Sequence, residues 1–185
     1  SYIRVGESDE PMSEYEVYSY DAFRKRIRDD LRVVDYARTE LFDKERLERY
    51  LEAVKRERKN LADHVSDEEI LELMGVTNKG TPTLAGLMVF SIYPQTYFPQ
   101  LCITAVVVPG TAIGSTAQDG ERFIDNKRIT GSIPDMLKEA IDFVRTNSRT
   151  KSVIGEDGMR HDKDEYPAVA VREAILNALV HRDYS

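Results

Sequence analysis

The chain has 185 residues, of which 41% are hydrophobic and 32% charged, with a net charge of −7. This fits one folded domain, or one domain with pieces of its neighbours, and excludes a disordered or collagen-like chain. The acidic balance disfavours non-specific binding to phosphate backbones, and no apolar run reaches the ~18–20 residues of a membrane helix.

Tyr2-Ile3-Arg4-Val5-Gly6 reads as a strand ending in a turn, and its partners are expected upstream. Ser13-Glu14-Tyr15-Glu16 is a capping box that should open a short helix. Asp21 to Asp30 is helical in character, and Arg32 to Leu41 reads as extended. Arg24, Lys25, Arg26 and Arg28 form a basic cluster beside Tyr18 and Tyr20, the best nucleic-acid patch in the sequence, although Asp29 and Asp30 follow at once. Asp43 is placed to cap a helix in which Leu47, Tyr50, Leu51, Val54 and Leu61 recur near a 3.6 period. The opposite face alternates in charge sign, which marks a solvated surface.

Ser66-Asp67-Glu68-Glu69 is a second capping box, and Gly75 ends its helix. A loop to Pro82 follows, then a third helix capped by Thr83 and running from Leu84 to Phe90. The loop is longer than the turn of a helix-turn-helix, and the second helix has no Arg or Lys to contact DNA. Leu101 to Val108 is a nearly continuous apolar run, expected as a central strand. Its thiol, Cys102, is the chain's one cysteine. A lone thiol with three histidines is too few soft ligands for zinc and fits a reducing, cytoplasmic setting. Gly110, Gly114 and Gly120 flank a small-residue loop that reads as mobile surface before an anion cradle. Arg122 to Ile129 can form a strand. Ser132 caps a helix whose buried face is Ile133, Met136, Leu137, Ala140, Ile141 and Val144. Thr146 to Glu165 reads as loop or weak hairpin, with Asp162, Asp164 and Glu165 as a solvated acidic group. The fold class is therefore α+β, with helices packed on a small mixed sheet.

The helix after Pro167 carries the most chemistry. Val171, Ile175, Ala178 and Leu179 share one face, Leu176 and Val180 widen it, and the polar stripe is Glu173, Asn177 and His181, each four residues apart. In a mostly buried helix an Asn needs partners. A Glu and an Asn so spaced can offer one ligand a general base and a hard oxygen suited to Mg²⁺. The plainer alternative is that Glu173 and His181 are exposed and Asn177 bonds locally.

The run Tyr166-Pro167-Ala168-Val169-Ala170-Val171-Arg172-Glu173-Ala174-Ile175-Leu176-Asn177-Ala178-Leu179-Val180-His181-Arg182-Asp183-Tyr184 resembles a signature of bacterial transcriptional regulators often labelled RecG-related ATP-dependent helicases. These join a Schlafen/AlbA-type DNA-binding domain, a middle segment and a GHKL-like ATP-binding domain. Thr81-Pro82-Thr83-Leu84-Ala85-Gly86-Leu87-Met88-Val89-Phe90, with Pro94-Gln95 and Phe98-Pro99, is similar to the middle segment, where Ser91 stands in place of an expected Gly. The resemblance implies that residues 1–20 end the Schlafen/AlbA-type domain, 21–65 form a helical connector, 66–165 an α+β middle domain, and 166–185 the first helix, or N-box, of the ATP-binding domain.

By the same resemblance Glu173 is the catalytic base, Asn177 binds Mg²⁺ and nucleotide, and His181 adjoins the nucleotide. A later Asp-x-Gly-x-Gly box and a lid are not in the sequence. The chain thus reads as a fragment joining DNA-binding and ATP-binding modules, with ATP and Mg²⁺ expected in the intact protein, whose ATPase activity stays open, and neither expected in this piece. The label of helicase has no phosphate-binding loop behind it, since Gly75 to Gly80 is followed by Thr81-Pro82 and not by Lys-Ser or Lys-Thr. The alternative is a protein-interaction or dimerisation module, a homo-oligomer without ligand. A nuclease ranks last, for want of a metal-binding carboxylate cluster.

Overall fold

A computed structural model describes residues 2–5, 8–25, 28–110, 123–148, 150–154 and 160–184. The α+β class holds. The strands, however, pair as four antiparallel two-stranded ribbons rather than as one mixed sheet.

The first strand, β1 (Tyr2–Val5), pairs with β2 (Ser8–Pro11) immediately downstream, so it has a local partner. Helix α1 (Glu14–Lys25) follows. Its box is formed as expected: Glu16 Oε2 accepts from the Ser13 amide at 2.8 Å, and Ser13 Oγ accepts from the Glu16 amide at 3.2 Å. Beyond it, residues 29–31 and 39–41 are single 3-10 turns. Between and beside them the chain makes isolated bridges, Val33 to Thr83 and Phe42 to Ser91. The stretch expected to be extended is thus a wrap around a later helix.

Helix α2 (Lys44–Glu57) starts where Asp43 accepts from the Arg46 amide, and it buries Leu51 and Val54. The periodicity that ran on to Leu61 breaks at Arg58, and Leu61 sits in the short α3 (Lys59–Ala62). In α4 (Asp67–Leu73) the Ser66–Glu69 capping box is complete and Ile70 is buried. The loop after Gly75 is a hairpin, β3 (Thr77–Asn78) and β4 (Thr81–Pro82). Lys79 and Gly80 both have positive φ, 50° and 75°, as a two-residue hairpin turn requires.

Helix α5 (Leu84–Phe90) is capped by Thr83 and buries Leu84, Gly86, Leu87, Met88 and Phe90. Only Ala85 and Val89, on one face, are half-buried rather than buried, in keeping with a sequence that lacks any charge. Strand β5 (Ile103–Val107) pairs with β6 (Asp125–Ile129), Ile103 facing Ile129. Among the described residues β5 has this one neighbour, so the apolar run is half of a ribbon rather than the centre of a sheet; helix packing covers part of it. Helix α6 (Ile133–Asn147) is capped by Ser132 and buries Met136 and Ala140. The weak hairpin is β7 (Thr150–Ile154) with β8 (Arg160–Asp164). Helix α7 (Ala168–Val180) closes the element order.

One core contains Val34, Phe42, Val76, Leu84, Leu87, Met88, Phe90, Leu101, Ile129, Met136 and Leu179, and a smaller one contains Leu51, Val54 and Ile70. Polar side chains cross-link the elements around the larger core. Buried Gln95 donates to Leu101 O at 2.8 Å and Gly131 O at 2.9 Å and accepts from the Gly131 amide at 2.8 Å. Arg46 of α2 donates to Val89 O of α5, to Ser132 Oγ and, at 2.8 Å, to Asp135 of α6. Partial burial pushes the Asp135 carboxyl up, but bonds from Ser132 and Arg46 and the Arg46 charge outweigh it and hold it below its ordinary value.

Two positions test this packing. A Cβ at Gly86 would lie 2.0 Å from Val76 O, an overlap that backbone must move to relieve. Gly86→Ala is therefore expected to destabilise the protein by about 3 kcal/mol or more, read as a lowered midpoint in thermal unfolding. Ser91 Oγ is buried and finds no partner among the described residues. Removing an unsatisfied buried hydroxyl recovers about 1 kcal/mol, so Ser91→Ala should raise the unfolding midpoint.

Candidate functional site

Pro167 opens α7 because it fixes an extended approach and its carbonyl accepts from the Val171 amide at 3.1 Å. Of the side chains in α7, Leu179 is fully buried, and Val171, Ile175 and Leu176 are half-buried. The other side faces solvent, where Val169 is 73% and Val180 55% exposed. Glu173, Asn177 and His181 all lie on this exposed side. The helix is apolar nearly all round yet only one stripe of it is covered. Asn177 therefore needs no protein partner to offset burial, contrary to the expectation from a mostly buried helix. Its side chain makes no hydrogen bond to the described residues, and its carbonyl accepts from the His181 amide at 2.9 Å. Glu173 Oε1 is 2.6 Å from Arg172 Nη1.

Beside the stripe runs an apolar groove of about 520 Å³, with Ile103 and Ala105 of β5, Ala140 and Phe143 of α6, and Ala174 and Ala178 of α7 along it. Ala174 and Ala178 each follow a stripe residue by one position, about 100° around the helix. Glu173 and Asn177 thus border the groove without lining it. The small alanines are what leave the space between the two helices.

The residues after α7 fix its end. Arg182 Nη1 donates to Cys102 O at 2.9 Å and Nη2 to Gln100 O at 2.8 Å. Tyr184 Oη donates to Leu179 O at 2.6 Å, satisfying one of the carbonyls that a helix C-terminus leaves open. Burial raises the Tyr184 hydroxyl pKa above its ordinary value, against a smaller pull from Arg182. Asp183 Oδ2 accepts from Tyr15 Oη of α1 at 2.6 Å. No sequence pattern signals these contacts, because their partners lie 5 to 168 positions away.

The basic cluster is only partly described. Arg24 and Lys25 fall in the last turn of α1, Arg26 lies outside the described residues, and Arg28 pairs with Asp30 at 2.9 Å. Most of the glycine loop, including Gly114 and Gly120, also lies outside them. A second cavity, of about 560 Å³, opens between α4 and the β3–β4 hairpin, with Glu69, Glu72, Gly75 and Asn78 along it. Both carboxylates are engaged, Glu69 by the Ser66 amide and Glu72 by the Gly80 amide.

Whether Mg²⁺ and a nucleotide fit α7 turns on its donors. Asn177 offers one unengaged oxygen in solvent, enough for an ion that keeps waters and phosphates as its other ligands. Glu173 can act on water only after turning away from Arg172. Among the described residues no cluster of three or more His, Cys, Asp or Glu could hold a metal. The donors thus suit a metal carried in with phosphate groups and not one held by protein alone. No helix among the described residues is long and apolar enough to cross a membrane.

A model for a domain of unknown function, DUF8451, matches residues 20–104. That region runs from α1 to the start of β5 and includes none of Glu173, Asn177 and His181. The chain is similar to the solved structure of the DIP2311 protein from Corynebacterium diphtheriae, with 23% identity and a TM-score of 0.42 over 99% of this chain and 32% of that one. The chain thus spans about a third of that protein's length. No curated protein matches.

Because Asn177 is exposed and unbonded, Asn177→Ala should leave stability within about 0.5 kcal/mol of wild type, as read by denaturant unfolding. A larger loss would mean that Asn177 is a structural residue.

Proposed function

We propose that this chain is the connecting part of a nucleotide-responsive transcriptional regulator, in which α7 contributes half of an ATP site. The observation that carries the reading is the placement of Glu173, Asn177 and His181 on one exposed side of α7, bordering an apolar groove. In this reading Asn177 holds the oxygen side of Mg²⁺, His181 meets the nucleotide, and Glu173 orients water once released from Arg172. Bound Mg²⁺ would supply charge neutralisation for the phosphates. The DNA contact belongs to the intact protein, with Arg24, Lys25, Arg26 and Arg28 as its nearest basic group in this chain. The resemblance of the residues around Glu173 and Asn177 to an N-box supports the same reading.

A second reading is favoured by the exposed Val169 and Val180 and, on another side of the helix, by the groove along Ala174 and Ala178: α7 docks another protein or a second copy, with no ligand.

Calorimetric titration of Mg-ATP into the intact protein separates the two. The expected result is saturable binding that Asn177→Ala weakens at least about tenfold, the scale of one lost charge-assisted contact. Absence of binding, together with a mass that rises with concentration, would replace the nucleotide reading with the docking one.

A further inference from the structure

Strand β5 meets β6 along one edge. The Ile124 amide donates to Val107 O at 2.8 Å, so Val107 turns its carbonyl toward β6. Alternation along the strand then turns the amides and carbonyls of Thr104 and Val106 to the other edge. No described residue bonds them there. Both side chains are exposed. Open edges commonly carry a Lys or a Pro that blocks a further strand. Strand β5, Ile103-Thr104-Ala105-Val106-Val107, carries neither.

Helix α7 adds a groove to this edge. Helix α6 packs on β5 and β6, and α7 packs on α6 from the β5 side. Arg182, just past α7, donates to Cys102 O and Gln100 O at the start of the strand. The groove of about 520 Å³ between β5 and Ala174 and Ala178 therefore runs along the open edge. A strand laid against that edge would send every second side chain into the groove. Arg182 lines one end of it. This side chain is half-buried, and both its bonds go to neutral carbonyls. Among the described residues no carboxylate pairs with it, so its charge is left for one.

The geometry points to a strand-acceptor site: the β5 edge and the groove take an extended segment of a partner protein, antiparallel to β5, apolar at alternate positions and ending in a carboxylate. Main-chain bonds to Thr104 and Val106 supply the ladder, and the groove selects the side chains. Direction follows from charge, because an antiparallel segment brings its C-terminal end to the start of β5, where Arg182 lies. A second copy offering its own β5 would bring its α6 onto the face where α7 already lies, so the segment is one without helices packed on it. The inference needs no nucleotide on Glu173, Asn177 and His181, which do not line the groove; it gives the docking reading a partner of stated chemistry.

The probe is the peptide KKITAVV, which repeats the alternation of β5 and ends in a free carboxylate. It is titrated into the intact protein by calorimetry and by residue-resolved amide exchange. In the free protein the Thr104 and Val106 amides should exchange fast and the Ala105 amide, bonded to β6, slowly. Saturating peptide should slow Thr104 and Val106 on the order of tenfold or more. Amidating the peptide's C-terminus, or methylating the backbone nitrogens of its Thr and first Val, should weaken binding at least about tenfold. Val106→Pro removes an edge donor and leaves the bonds to β6 in place, and Ala178→Leu, at an exposed position, fills the groove. Both should weaken binding by a similar factor while exchange in α2 stays at the wild-type rate. Slow Thr104 and Val106 amides in the free intact protein would mean that another strand of the same protein holds the edge, and would overturn the proposal. So would absence of saturable binding, or binding that neither variant weakens. Equal affinity of the amidated peptide overturns the part given to Arg182. Each of these outcomes leaves docking through Val169 and Val180 standing, and the nucleotide reading is decided separately by the Mg-ATP titration.

Discussion

The close approach of Gly86 to the carbonyl of Val76 is the constraint on which the rest of the structure depends. It lets α5 lie directly against the turn that ends α4. Thr83 completes the junction: its amide donates to Val76 O at 3.1 Å, its hydroxyl to Gly75 O at 2.6 Å, and the same oxygen accepts from the Gly86 amide at 3.0 Å. One residue thereby caps a helix and satisfies two carbonyls of the preceding turn. With α5 fixed there, both its ends are bound by the segment before α2. Leu84 N donates to Arg32 O at 2.8 Å, and Asp43 N to Phe90 O at 2.7 Å. The wrap at 29–43 is the consequence of a short, largely buried helix whose ends need partners.

The remaining elements reach this centre through polar cross-links as well as apolar packing. Gln95 joins the turn before β5 to the turn after β6, and Arg46 joins α2, α5 and α6. Such groups are stabilising only when their bonds are complete, since each unpaired buried polar atom costs about 1–3 kcal/mol. Gln95 meets that condition with both ends of its amide engaged. Ser91, whose hydroxyl finds no partner among the described residues, does not. A glycine there would have no hydroxyl to leave unpaired.

What could be read from the sequence was local. The caps at Ser13, Asp43, Ser66, Thr83 and Ser132 were legible because a cap is a contact between residues three apart. Helices α2, α5, α6 and α7 followed from apolar spacing. The ribbons were less so. An apolar run such as Leu101 to Val108 does not say whether strands or helices cover it, and here α6 and α7 lie over the face of β5 that carries Ile103 and Ala105. The wrap at 29–43 was missed because its bonds go to α5, some 50 residues later. The stripe of the candidate site was legible as a stripe. Its exposure was not, because apolar residues all round α7 imitate a buried helix. Arg182, Asp183 and Tyr184 gave no signal of their partners.

Helix α7 shows why that tail matters. Leu179 is its one fully buried side chain, and burying it is worth about 2 kcal/mol. Ordering 13 residues costs on the order of 1–2 kcal/mol each before hydrogen bonds are counted. The half-buried Val171, Ile175 and Leu176 offset part of this, yet they restrain rotation about the helix axis poorly, because neighbouring apolar side chains are nearly interchangeable in a loose groove. Directional bonds do restrain it. Arg182 and Tyr184 fix the last turn to two backbone carbonyls before β5 and to the helix's own end, and so decide which way Asn177 and His181 face. The orientation of the candidate site is therefore set by residues just beyond the helix and not by its apolar face. A helix held in this way can present its exposed side to a ligand or a partner while its register on the core stays fixed.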